Sequence, residues 1–153
     1  MEEDEFRATY HAVNQRRCVF EKALNTRRCE CSRAARFCLA GRDGVACKSA
    51  SAHQTCVTFI TNLRDNAKFA LQLTHVDDAL PHGKEIKIQH GGLIGLRRAM
   101  SGPDCTGDDI ADIHALVREG LGRFGNVANL PYGEIVKSVV AFQGRPRRGP
   151  DPR

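Results

Sequence analysis

The chain contains no tryptophan, and only 6% of its 153 residues are aromatic. So sparse a supply disfavours the stacking surfaces on which sugars and nucleobases are held. No run approaches the roughly 18 apolar residues that a membrane span requires, and the longest candidate, residues 135–142, is interrupted by Lys137 and Ser138. The N-terminus reads Met-Glu-Glu-Asp-Glu-Phe, acidic where a secretory leader is basic and then apolar. These absences point to a soluble, cytoplasmic protein. Catalytic motifs are missing as well. There is no Gly-x-Ser-x-Gly nucleophile elbow. The Gly-rich stretch 90–96 does not continue into the Gly-Lys-Ser/Thr of a phosphate loop, and no two carboxylates stand out as an acid–base couple. The expectation is a protein that is not an enzyme.

Cysteine, by contrast, is plentiful. Six of the seven cysteines fall between Cys18 and Cys56, with Cys105 alone outside. A chain of this length can bury roughly two-thirds of its unfolded surface, so it needs no crosslinks merely to fold. In a reducing cytosol clustered thiols are more often ligands or redox groups than disulfides, and the odd count fits a disulfide framework poorly.

Hydrophobic periodicity predicts a mainly α protein. A short helix is expected over 19–24, and a second over 32–40, capped by Ser32 and ended by Gly41 and Gly44. The clearest helix covers 51–73, capped by Ser49 or Ser51, with Cys56, Phe59, Ile60, Leu63, Ala67, Ala70 and Leu71 at three- and four-residue steps. The middle is irregular. Its Lys-Glu-Ile-Lys-Ile alternation at 84–88 is compatible with one short strand, and the glycines of 90–96 read as a flexible or closely packed turn. Asp108 or Asp109 is the expected cap of a further amphipathic helix, and Pro131 suits the first turn of a last one over 132–142. The expected architecture is one small helical domain. Its cysteine-rich, loop-linked region spans 1–103, a C-terminal helical pair spans 104–143, and 144–153 form a disordered basic tail.

A metal centre needs several thiolates from different chain segments. Zinc takes four ligands in a tetrahedron, and cubane clusters take four cysteines, one per iron. Loop cysteines beside helix starts suit both, because free backbone N–H groups favour negative sulfur. Cys29, Cys31, Cys47 and Cys56 form the expected quartet, with Cys18 competing for one place. Cys38, flanked by Phe37, Leu39 and Ala40, reads as a buried thiol. The spacings match no standard signature, since there is no Cys-x-x-Cys and no ferredoxin run. Ligands far apart on helix-linked loops favour an iron–sulfur cluster, such as 4Fe-4S, over zinc. His53 could replace one sulfur, whereas His75, His82 and His90 read as exposed loop residues. The equal nine-residue steps from Cys29 to Cys56 would alternate faces on one helix and carry no weight.

The formal charge is +5 and the isoelectric point near 9.0. Arg16, Arg17, Arg27, Arg28, Arg33 and Arg36 could contact phosphates or stabilise thiolates. Without stacking aromatics or a standard DNA-binding motif, nucleic acid is a possible but unfavoured partner. The leading expectation is therefore a metal- or iron–sulfur-binding helical protein. It would serve electron transfer, redox sensing or cofactor assembly with a protein partner. The alternative is a zinc-stabilised adaptor that binds protein or nucleic acid without catalysis.

Overall fold

The computed structural model describes residues 2–71, 81–102 and 107–144. The chain is mainly helical, with one two-stranded antiparallel sheet, and its cysteines concentrate between residues 18 and 56. In order come α1 (Glu3–Val13), α2 (Glu21–Asn25), β1 (Ala34–Leu39), β2 (Arg42–Cys47) and α3 (Ala50–Ala67). After these follow α4 (His82–Ile86), a π-helical turn (Lys87–Gly91), α5 (Gly92–Ser101), α6 (Ile113–Phe124) and α7 (Tyr132–Ala141).

The segment expected to be a second helix is instead a hairpin. Leu39 pairs with Arg42 across a two-residue turn in which Ala40 and Gly41 both have positive φ, 51° and 79°. This is the backbone hand that matches strand twist. Gly41 thus turns a hairpin rather than ending a helix. Gly44 lies under the Phe37 ring, where a Cβ would run into the ring carbons. The strand expected at 84–88 is absent too, because those residues run through α4 into the π turn.

The glycine stretch forms a helix seam. A Cβ on Gly91 would stand 2.8 Å from the Val139 Cα, and one on Gly95 would stand 2.7 Å from the Ile135 carbonyl oxygen. Only hydrogen at these positions lets α5 lie directly on α7, and Gly92 makes the same allowance for Leu63 of α3. Around the seam Phe20, Phe59, Leu63, Leu93, Leu96 and Ile135 are fully buried.

Two buried carboxylates tie the outer elements to this core. Glu21 accepts hydrogen bonds from the Tyr10 hydroxyl, from Arg17 and from the Val45 N–H, joining α1, α2 and β2. Glu85 pairs with Arg64 at 2.6 Å and accepts from Gln89, whose own side-chain oxygen accepts from the Ala23 N–H. Both oxygens of Glu21 and the Oε1 of Glu85 thus have donors, as burial demands.

Ser49 caps α3 by accepting from the Ala52 N–H. The cap of α6 is Asp112, which accepts from the His114 N–H; Asp108 instead pairs with Arg28 at 2.7 Å. Pro131 sits just outside the first turn of α7. The expected tail from residue 145 onward, Cys105 and His75 lie outside the described residues.

Candidate functional site

Short backbone links gather the cysteine-bearing segments. Cys18 donates its N–H to the Val45 carbonyl (3.0 Å), and Cys47 donates to the Arg16 carbonyl (2.9 Å), so residues 16–18 run antiparallel beside β2. Ser32 donates its N–H to the Asp112 carboxylate (2.9 Å), which fixes the Cys31 segment against the start of α6. The Ser49 cap sets the first turns of α3, where Cys56 stands. Cys18, Cys31, Cys47 and Cys56 consequently line one cavity of about 20 Å³, closed by Phe20, His53, Ile113 and His114. That is room for about one water-sized group.

Cys29 is placed elsewhere. Its segment is stitched to the strand-like residue before α6, with Glu30 N–H donating to the Ile110 carbonyl and Ile110 N–H donating to the Arg28 carbonyl. The Cys29 side chain is fully buried in the hydrophobic core. Cys38, expected to be buried, is exposed on the hairpin. His90, expected on an exposed loop, is fully buried beside Phe142, and its Nε2 meets the Asp108 carbonyl.

The cavity favours neutral sulfur. Burial pushes the Cys18 and Cys56 thiols up to about 12, and each prospective thiolate also opposes its neighbours. Burial raises the Cys31 thiol as well, although the Arg33 N–H points at its sulfur. Cys47 donates its S–H to the Ser49 carbonyl at 3.2 Å. His53 donates through Nε2–H to the Arg17 carbonyl (3.0 Å). Burial, then the neighbouring Arg33, holds His114 below the usual imidazole range.

Beside this cavity an open groove of about 220 Å³ runs between α3 and α6. Ala52, Cys56, Val117 and Leu121 make an apolar floor, and Ser51, Thr55, His114 and Arg118 form the polar walls. Ala52, Cys56 and His114 border both spaces. His114, Val117, Arg118 and Leu121 follow the helical steps i, i+3, i+4 and i+7. That spacing was the available signal for the α6 wall, which reading centred on cysteines passes over.

Against protein-family models, curated proteins and solved structures, the chain finds no match.

The expected metal centre is corrected by the geometry. Among the described residues, no group of three or more His, Cys, Asp or Glu side chains is placed to hold a metal ion. Four thiols share a cavity, yet their placement does not form a coordination site for zinc or for an iron–sulfur cluster. The physical setting agrees: a ligand sulfur must be deprotonated, whereas burial here favours the protonated form. The expectations of electron transfer, redox sensing, cofactor assembly and a zinc-stabilised adaptor rested on that centre and fall with it.

Three of the arginines have other partners. Arg27 pairs with Asp43, Arg28 with Asp108 and Arg36 with Glu30. Arg36 also donates to the Leu24 and Cys29 carbonyls. They brace the loops around the hairpin instead of converging on sulfur.

Proposed function

We propose that the protein is a binding module without catalysis of its own, which holds a segment of a partner protein in the groove between α3 and α6. The groove itself carries this reading: an open channel with an apolar floor and a few polar groups along its walls is the usual form of a recognition site. Protonated thiols are poor nucleophiles, which favours binding over covalent chemistry at the adjoining cavity. The free cysteines suit a reducing, cytoplasmic setting. Nucleic acid is less well supported as the partner, since Arg27, Arg28 and Arg36 are already engaged by carboxylates.

The test is site-directed photocrosslinking in the source cells. A photoreactive residue at Thr55, inside the groove, should label a discrete protein that the same residue at exposed Thr58 does not label. That protein, purified, should bind the native chain and lose binding to a Thr55→Trp variant whose indole fills the channel. Binding indifferent to Thr55→Trp, or labelling equal from both positions, defeats the proposal.

A further inference from the structure

We infer that the segment this groove accepts is acidic and anchors itself by a small aliphatic side chain; the inference rests on the binding-module reading above. Charge is the first ground. Arg118 stands on the groove wall and Arg33 at the thiol-lined cavity, and both act electrostatically on His114 between them. Among the described residues neither takes part in a salt bridge, in contrast to Arg27, Arg28 and Arg36 on the other side of the hairpin. No carboxylate lines either space. Asp112, which also acts electrostatically on His114, accepts from the backbone N–H groups of Ser32 and His114. The two arginines outnumber this one carboxylate, so the rim presents net positive charge, which favours an acidic partner over a basic one.

Size and polarity supply the second ground. The cavity behind Cys56 offers about 20 Å³ between walls that are largely sulfur, methyl and ring carbon. Neutral thiols behave there as small apolar groups. A methyl group fits such a space, and a branched side chain, an aromatic ring or a nucleobase does not. The two spaces share Ala52, Cys56 and His114, so an extended segment can lie in the groove with one short side chain turned toward the cavity and its carboxylates beside Arg118 and Arg33.

Panning a phage-displayed random-peptide library against the full chain tests this, with synthetic copies of the selected peptides measured by fluorescence anisotropy. The selected peptides should be net acidic around an alanine. Arg118→Glu should weaken them by about tenfold or more, Arg118→Gln by less, and exchanging peptide Glu for Lys should restore binding to Arg118→Glu. Because Arg118 is exposed, loss of folding does not account for such a swap. Neutral or basic peptides that Thr55→Trp still abolishes would overturn the acidic partner and leave the binding module standing. Peptides unaffected by Thr55→Trp, or none selected, would overturn both. Labelled RNA bound more tightly than any peptide, and displaced by Thr55→Trp, would overturn the protein segment in favour of nucleic acid.

Discussion

Adding one methyl group to Gly95 should destabilise the protein, while the same change at Gly122 should stabilise it. Both glycines lie inside helices, α5 and α6. In a helix interior, alanine is favoured over glycine by roughly 0.8–1.0 kcal/mol, and that gain is common to the two variants. Their surroundings differ. At Gly122 a Cβ meets nothing within 4 Å. At Gly95 it meets the Ile135 carbonyl oxygen at 2.7 Å and the Ile135 Cα at 2.8 Å, both backbone atoms of α7 that cannot rotate aside. Relief requires α5 and α7 to separate, and overpacking of that kind costs about 1–3 kcal/mol. Because the helix term cancels, Gly95→Ala should be less stable than Gly122→Ala by about 1–3 kcal/mol. At this chain length each kcal/mol moves Tm by roughly 2–4 °C. Urea titrations followed by far-UV circular dichroism give the difference directly, with m-values confirming an unchanged unfolded state. If Gly95→Ala rises in stability alongside Gly122→Ala, the close contact of α5 and α7 is wrong.

Three other perturbations probe different parts of the molecule. Leu63→Ala removes a fully buried side chain from the seam between α3 and α5 and should lower stability by roughly 2–5 kcal/mol in the same titration; a loss under about 0.5 kcal/mol would place Leu63 on the surface instead. Asp112→Ala removes the α6 cap together with the acceptor of the Ser32 N–H, and should cost about 1–2 kcal/mol. It should also speed amide exchange at Ser32 and His114, and unchanged exchange there would contradict the dual role. The thiols set an alkaline limit: Cys18, Cys29 and Cys56 ionise near 9.0 when unfolded and at about 12 in the fold. Between those values the folded chain keeps protons that the unfolded chain has released. Stability, complete below about pH 9, therefore falls as pH rises toward 12, by up to roughly 1.4 kcal/mol per pH unit for each thiol. Cys56→Ser should flatten that slope by one thiol's share, and an unaltered slope would show that the half-buried Cys56 thiol is not held protonated by its surroundings.

The sequence was most readable where burial follows a helical stripe. Phe59, Ile60, Leu63 and Ala67 of α3 are all buried, and Ser49 supplies the expected cap. The last helix likewise buries Ile135 and Val139. Residues 34–39, Ala-Ala-Arg-Phe-Cys-Leu, suit a helix by composition, and the feature that makes them a strand is the Ala40-Gly41 turn. Alanine at positive φ is uncommon enough to hide such a turn. The stretch 90–96 was opaque for the opposite reason: all seven residues are buried, so no polar position marks the start of α5, and its glycines are explained only by the approach of α7 and of Leu63. At the site, the concentration of cysteines correctly marked a region but not its membership. Cys29 differs from Cys31 by two positions, yet its pairing with Ile110 buries it in the core. No local pattern reports a partner so distant along the chain.

That distance shapes how the molecule is made. Arg28 meets Asp108, and Ser32 meets Asp112, across 80 positions in each case. During synthesis the N-terminal third leaves the ribosome well before the residues that secure it, so α2 and the hairpin must wait with Cys29 uncovered. Ile113 and His114 close the thiol-lined cavity, and they arrive with the same late segment. A chain arrested before α6 would thus leave Cys29 and the thiol-lined cavity uncovered, a reactive and adhesive nascent state. Emergence of α6 from the ribosome is the event that withdraws it.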